Sequence, residues 1–257
     1  EGYRFINNLT ETEIMDMEMI TDYSVGSYNY ISNFSGRIIT EYIEAKDGTY
    51  RLKQTWNNII STDRRNNELK INHKAQKLNG TQFIITADST GAFTREGMDD
   101  NAKEMEEQNT AFMFFTSQGN ILHPFGSDSL RLKGDSWTVA NNNHLEAFPG
   151  FENTDADVKD KVIFTFNKIK KKKGKMTAFI SGKQTLEMKM TSQTWDEAWE
   201  MDVVGEFKLK IEFNLDDNKL TKCRLRGTIS GSGIDLSDDS SINFNQNMDL
   251  LCKIKSK

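Results

Sequence analysis

Histidine can serve as a metal ligand, a general acid or a general base, and this chain has three histidines. His73, His123 and His144 lie far apart in the sequence and have no carboxylate or cysteine neighbours at the spacing of metal ligands. A zinc site needs three or four such ligands, often at short fixed spacings. The spacing of the histidines therefore gives no reason to expect a metal site.

Motifs for nucleophilic catalysis and phosphate binding are not found either. The sequence has no Gly-x-Ser-x-Gly elbow, no P-loop and no dinucleotide-binding fingerprint. Asp135 and Ser136 could act in catalysis, but we favour a structural interpretation. In it, Asp135 fixes a turn through its own backbone and Trp137 enters the core. We therefore predict no catalytic residue and no cofactor.

The two cysteines, Cys223 and Cys252, fall in stretches where apolar residues occupy every second position, which predicts antiparallel strands. If these cysteines face each other, Leu225 faces Leu250 and the apolar residues stay on one side of the sheet. Opposed residues have Cα atoms about 4.5–5.5 Å apart, a distance that a disulfide can bridge. The register therefore predicts a disulfide in an oxidising compartment. Two small buried neighbours are the alternative.

A lysine tract gives the chain its strongest local charge. Lys170, Lys171, Lys172 and Lys173 are followed by Gly174. Contact with anionic lipid headgroups is one interpretation, at roughly 1 kcal/mol per lysine near such a surface. A solvated hairpin tip that resists edge aggregation is the other, and we favour it.

Alternation of apolar and polar residues indicates the strands that position these groups. The longest alternating run predicts a meander from Val203 to Ile254. Near the N-terminus an alternating set flanks a hairpin turn at Asp47-Gly48; its members are Met15, Met17, Met19, Tyr23 and Val25 before the turn, and Tyr50, Leu52, Trp56 and Ile60 after it. Residues 141–160 are polar and predict an irregular loop.

Helical spacing occurs in two longer segments and one short one. Ile71, Ala75 and Leu78 predict a helix that begins near Asn66 or Asn67 and ends at Gly80. A second helix is predicted over Met98–Phe115, where Met105, Phe112 and Phe115 would face the sheet. Trp195 and Trp199 predict a short amphipathic helical turn.

These elements predict a mainly β (α+β) fold: a large curved antiparallel sheet or open half-barrel with about two helices packed on it. A single β-rich domain over residues 1–257 is expected. A subdivision near 119–134 would instead give an N-terminal half over 1–118 and a C-terminal half over 135–257.

Composition limits the partners. A net charge of −5 gives no expectation of nucleic-acid binding, and no run of 18 apolar residues could span a membrane as a helix. The chain begins with Glu1 rather than Met, so we expect a processed or truncated form from which a signal peptide or lipid-anchored Cys could have been removed. Asn8, Asn33 and Asn79 match the glycosylation pattern, which an Asn-rich sequence also produces by chance.

Several short motifs together carry a family resemblance: Tyr3-Arg4-Phe5, Asp22-Tyr23-Ser24, Gly80-Thr81-Gln82-Phe83, Gly134-Asp135-Ser136-Trp137 and Gly227-Thr228. In their order the chain resembles a bacterial, largely Bacteroidota-type, family of cell-envelope proteins known only as a domain of unknown function. The resemblance implies export to the periplasm or cell surface. By looser analogy with the periplasmic lipoprotein carriers, it implies a curved antiparallel sheet wrapped on helices. It lends no catalytic residues.

We interpret the chain as a non-enzymatic exported binding protein that shelters a lipid or other apolar ligand between sheet and helices. Met105, Phe112 and Phe115 are the candidate ligand-binding residues. A structural subunit or interaction module of a cell-envelope assembly is the alternative, and a hydrolase is the third interpretation. An open apolar cavity would favour the carrier, whereas a filled core with an exposed apolar patch would favour assembly.

Overall fold

Long alternating stretches dominate the sequence, and in the computed structural model they form one antiparallel sheet. The structure describes residues 2–5, 10–25, 28–65, 68–88, 93–98, 129–141, 154–193 and 198–256. The elements are β1 Glu13–Val25, β2 Tyr28–Lys46, β3 Thr49–Arg65, β4 Glu68–Ile71, α1 His73–Gln76, β5 Gln82–Asp88, β6 Phe93–Met98, β7 Ser136–Asn141, β8 Thr154–Lys172, β9 Lys175–Gln193, β10 Ala198–Asn214, β11 Lys219–Asp235 and β12 Ser240–Ser256. The predicted mainly antiparallel β fold is confirmed.

The first and the last strand of the described chain, β1 and β12, are neighbours in the middle of the sheet. The strand order runs β6-β5-β3-β2-β1-β12-β11-β10-β9-β8-β7, and β4 also pairs with β3. Strand β1 pairs with β12 over its whole length, from Glu13 opposite Ser256 to Val25 opposite Phe244. In the described part of the chain the sheet is open, with β6 and β7 at its edges.

The hairpin turns follow from residues that tolerate a left-handed backbone. Asp47 and Gly48 have φ of 52° and 81°, and Lys173 and Gly174 have φ of 50° and 86°. Two successive positive φ angles define the type I′ turn, whose twist matches that of the strands it joins. The predicted turn at Asp47-Gly48 is confirmed, and the lysine tract ends in a turn of the same type.

The register predicted for the last two strands is confirmed. Cys223 lies opposite Cys252, Leu225 opposite Leu250, and Gly231 opposite Phe244. Cys223, Leu225, Leu250 and Cys252 therefore lie on the same face, as the period of two requires.

A bulge in β3 makes part of the predicted alternation wrong. Two residues of β3, Asn58 and Ile59, lie opposite the single residue Gly36 of β2, and Asn58 has a φ of 54°. An extra residue reverses the face on which every later side chain lies. Ile59 is therefore the buried residue, at 2% exposure, and Ile60 is 55% exposed.

The first predicted helix is only a single turn. Residues Glu68–Ile71 form β4 instead, and α1 covers His73–Gln76, with the Asn72 side chain accepting a hydrogen bond from the Ala75 backbone at 3.1 Å. The chain follows the edge of β3 from β4 to β5, so pairing with that edge displaces most of the helix. Gly80 ends the turn as predicted, with a φ of 84°.

The predicted helical turn at Trp195 and Trp199 and the predicted loop over residues 141–160 are both wrong in part, because strands are found there. The second predicted helix lies mostly outside the described residues. Trp199 belongs to β10 rather than to a helical turn, and β8 begins at Thr154, inside the predicted loop. Both segments pair with β9, which satisfies the backbone groups along that edge and favours long strands. Of the predicted helix over Met98–Phe115, only Met98 is described, and it ends β6.

Candidate ligand-binding face

The two faces of the sheet differ sharply in chemistry. We call the face that carries Met17, Leu250, Leu225, Leu209 and Phe164 the inner face, because these side chains are all buried. Alternate residues of the same strands point the other way and are mainly charged or polar. This arrangement is the one expected of an antiparallel sheet with one dry and one wet side.

One end of the inner face is closed by aromatic packing. Phe5 stacks on Trp137 with ring centroids 5.9 Å apart, and contacts Phe166 and Phe213 edge-on at 5.0 and 5.6 Å. Trp137 reaches this position because Asp135 fixes the preceding turn: its carboxylate accepts a 2.7 Å hydrogen bond from the Leu132 backbone. The predicted turn at Asp135 and the predicted entry of Trp137 into the core are confirmed.

Polar side chains interrupt the inner face beyond this closed end. Gln184 is 1% exposed, and its Nε2 donates to both carboxylate oxygens of Asp160, at 2.9 and 3.0 Å. Thr21 is 3% exposed. Gln184 lies opposite Phe207 and Thr21 lies opposite Met248, so both belong to the apolar phase of their strands.

Past these polar residues the inner face becomes half-buried. Met188, Met201, Trp199 and Phe244 are partly buried hydrophobic residues that pack against the core. We call these four residues the Met/aromatic surface. Among the described elements α1 lies off the sheet and contacts β3, on the other side of the molecule's central strands. The Met/aromatic surface is therefore the part of the inner face best placed to accept another apolar group.

The outer face carries two shallow grooves and a dense set of ion pairs. One groove, of about 500 Å³, is lined by Lys183, Glu206 and Arg226, among others. Asp249 accepts hydrogen bonds from the guanidinium groups of Arg224 and Arg226, and this bonding lowers the pKa of its carboxyl group to about 2. The second groove, of about 590 Å³, lies over β9, β10, β11 and β12. Opposite charges balance one another here, so neither groove favours one class of ligand.

The outer face also carries exposed apolar residues on β1, β2, β3 and β4. Their exposed fractions are 51% for Ile20, 38% for Ile31, 55% for Ile60, 60% for Leu69 and 51% for Ile71. They lie on four neighbouring strands, with polar residues such as Arg64 and Thr62 opposite them. We call these five residues the outer apolar patch.

The lysine tract lies at the tip of the β8–β9 hairpin. Lys170, Lys171, Lys172 and Lys173 are all exposed. Lys172 forms an ion pair with Glu212 of β10, so part of the positive charge is already neutralised.

Cys223 and Cys252 are both buried and are free thiols in the structure, so the disulfide stays a prediction. Burial raises the pKa of Cys223 to about 12. Burial, together with the neighbouring Cys223, raises the pKa of Cys252 well above its usual value. Since the thiolate is the reactive form, both side chains should be inert in the folded protein at neutral pH.

A buried acid lies near the other end of β1. Glu13 is 8% exposed, and desolvation raises the pKa of its carboxyl group to about 7, although the nearby Lys219 ammonium acts in the opposite direction. Lys219 is itself buried and forms an ion pair with Glu11.

The predicted ligand-binding residues Met105, Phe112 and Phe115 lie outside the described residues, as do His123 and His144. Sequence reasoning missed Gln184 and Thr21. Each had a recognisable signal, because each is a polar residue at a position where the alternation calls for an apolar one.

Within the described ranges, no group of three His, Cys, Asp or Glu residues comes together as a metal site. No helix in the described part of the chain has the length and hydropathy needed to cross a bilayer.

Comparison with known proteins identifies no family. No protein-family model matches the chain, and no curated protein matches it. Among solved structures, the chain is similar at a TM-score of 0.24 to OmpTdeltaL8, a loop L8 deletion mutant of OmpT, an outer membrane protein of Vibrio cholerae. The identity is 6%, over 96% of this chain and 100% of that chain. A likeness at that TM-score carries no inference about function.

Proposed function

We propose that this chain is a non-catalytic binding protein that holds an apolar ligand, such as an acyl chain, on the Met/aromatic surface. The observation that supports the proposal is the half-burial of Met188, Met201, Trp199 and Phe244 at one end of an otherwise dry face. Methionine side chains are flexible and polarizable, so they adapt to ligands of irregular shape. Contiguous apolar residues that stay partly open usually mark a binding surface.

Export to the periplasm or cell surface belongs to the same proposal. It is supported by the resemblance that centres on Gly134-Asp135-Ser136-Trp137. An exported carrier would hold a poorly soluble molecule in an aqueous compartment, and a large apolar face on a sheet suits that task.

Fluorescence of N-phenyl-1-naphthylamine, a neutral dye that brightens in apolar surroundings, tests the proposal. Met201 and Val204 lie three residues apart on β10, on the inner and the outer face respectively. We expect Met201→Gln to weaken dye binding about tenfold, the loss of one well-buried apolar contact. Val204→Gln, at a 56% exposed position, should leave binding unchanged.

Two results would overturn the proposal. One is the lack of any dye binding by the wild-type protein. The other is an equal response of the Met201 and Val204 variants, which would place the dye elsewhere.

A second candidate function is a structural subunit or interaction module of a cell-envelope assembly, and the outer apolar patch favours it. Several exposed apolar residues on neighbouring strands are a common mark of protein interfaces. Ile60→Lys should then abolish the association of purified chains, or the capture of an envelope partner, without changing dye binding. Native mass spectrometry of the wild type and the variant measures the association directly.

A further inference from the structure

In the described part of the chain, Glu13 Oε1 at the start of β1 is one buried polar atom of the inner face that has no hydrogen-bond partner. Gln184 Oε1 and Thr21 Oγ1, further along their strands, are two others. The orientation of the Gln184 amide follows from its neighbour, because Asp160 as a carboxylate only accepts hydrogen bonds and must face the NH₂ group. The Gln184 carbonyl oxygen is therefore left as an open acceptor inside the protein.

Register places Gln184 Oε1 and Thr21 Oγ1 in one row across the sheet. Gln184 lies opposite Phe207, Phe207 opposite Gly227, Gly227 opposite Met248, and Met248 opposite Thr21. This row separates the closed aromatic end of the inner face from the Met/aromatic surface. On β9, Met188 lies four residues after Gln184, so both side chains are on the same face.

Leaving a buried acceptor without a donor costs about as much as a lost hydrogen bond, so such a group points to a partner that binds there. The Gln184 NH₂ group faces Asp160, so the open atom is the carbonyl oxygen Oε1, which can only accept a hydrogen bond. The partner must therefore supply an N–H or O–H group. The Asp160 carboxylate next to it would repel an anion.

We propose that the ligand of the inner face is an amphiphile whose head group donates a hydrogen bond to Gln184 Oε1 and whose apolar tail lies on the Met/aromatic surface. Its head group is an alcohol, an amide or an ammonium, and not a carboxylate or a phosphate. This inference rests on the proposed function and adds the chemical class of the ligand. The face from Gln184 to Ser192, the register partner of Trp199, extends about 26 Å at roughly 3.3 Å per residue, which leaves room for a long tail.

Displacement of N-phenyl-1-naphthylamine by matched compounds tests the head group. Dodecanol and dodecyl methyl ether have the same tail, but only the alcohol has a donor. We expect dodecanol to displace the dye from the wild-type protein at about tenfold lower concentration than the ether, the effect of one hydrogen bond in a desolvated site. Dodecanoate should be weaker than dodecanol.

Gln184→Leu, which removes the acceptor, should make the alcohol and the ether equal, mainly by weakening the alcohol about tenfold. Thr185→Val, next to Gln184 on the outer face, is the matched control and should change nothing. If the Gln184→Leu variant does not fold, the comparison of dodecanol with dodecyl methyl ether on the wild-type protein still tests whether the ligand donates a hydrogen bond.

The outcomes separate the two proposals. Dye binding without a preference for the alcohol in the wild type, or a preference that survives in Gln184→Leu, would overturn the head-group inference and leave apolar binding intact. In that case an internal water molecule, and not the ligand, would donate the hydrogen bond to Gln184 Oε1. Failure of the wild type to bind the dye at all would overturn the proposed function, and this inference with it.

Discussion

The side chain of Asn79 pairs with the backbone of Ile59 as a neighbouring strand would. Its Oδ1 accepts a hydrogen bond from the Ile59 N–H at 2.8 Å, and its Nδ2 donates to the Ile59 carbonyl at 3.3 Å. Ile59 belongs to the bulge of β3, where no strand can lie in register. One amide side chain therefore completes an edge that β4 and β5 leave unpaired.

Asn79→Ala should lower the free energy of unfolding by about 1–3 kcal/mol, because it leaves the Ile59 backbone groups without partners. Urea denaturation of the variant measures the loss. Asn33→Ala, in the middle of β2 on the outer face, is the control and should change stability by less than about 0.5 kcal/mol. Because both Asn79 amide atoms are engaged and Thr81 is buried, we also expect no glycan at Asn79 in the folded protein.

Glu13 should make the protein less stable as the pH rises. Its pKa is raised from 4.5 to about 7 in the folded state, so the folded protein binds the proton more tightly than the unfolded chain does. Stability is then full below pH 4.5 and is lost between pH 4.5 and pH 7, in total by about 3 kcal/mol. Glu13→Gln should remove this loss. Urea denaturation at pH 5 and pH 8 checks it: a variant that gains no stability relative to the wild type at pH 8 would contradict the shift.

Gly227→Ala should destabilise the protein by roughly 1–3 kcal/mol, the usual cost of overpacking. A Cβ atom there would overlap the carbonyl oxygen of Glu206 and lie 2.7 Å from the Phe207 Cα, so the backbone of β10 would have to move. At Gly205 the nearest atom to such a Cβ is a side-chain carbon of Phe207, 3.1 Å away. Gly205→Ala should therefore cost less. Thermal unfolding of the two variants ranks them, and equal losses would refute the close approach.

Replacing Lys170, Lys171, Lys172 and Lys173 with Ser should leave the melting temperature nearly unchanged. Their side chains are exposed, and the pair of Lys172 with Glu212 is of the kind that contributes little. Co-sedimentation with vesicles that contain phosphatidylserine tests the alternative. Binding that disappears in the variant and in high salt would show that the tract contacts anionic membranes.

In the reduced protein, Cys223 and Cys252 should react with an alkylating reagent only after denaturation, because burial holds both thiols protonated. Titration of denatured, non-reduced protein from its native compartment then decides the disulfide. We expect none to react if the protein is exported, since the register allows the bond and oxidation before folding is complete would form it. Two free thiols would contradict the disulfide and weaken the case for export.

Sequence reasoning succeeded where one rule governed a long stretch. The pairing of β11 with β12 followed from alternation alone, because a slip by one residue would have exposed Leu225 and Leu250 together. It failed at Ile59 and Ile60, where two adjacent isoleucines gave no sign of which one a bulge would bury. It also failed over residues 68–76, because helical spacing in a short segment could not reveal that the edge of β3 needed partners.

The candidate site was only partly accessible to the same reasoning. Phe244 lay in a strand whose inner phase was evident, whereas Met201 lay just before the predicted meander. Nothing local showed that this end of the face would stay half-buried. Gln184 looked like an ordinary polar residue until its neighbours in space were known. Its role depends on Asp160, which lies on the adjacent strand β8.

The pairing of β1 with β12 has a consequence for biosynthesis. Strand β1 leaves the ribosome well before β12, and it meets this partner only when β12 has been made, so the middle of the sheet cannot close earlier. Contacts of such long sequence separation make folding slow. Until then the edges of β1 and of β11 are open to pairing with other chains, a known route to aggregation.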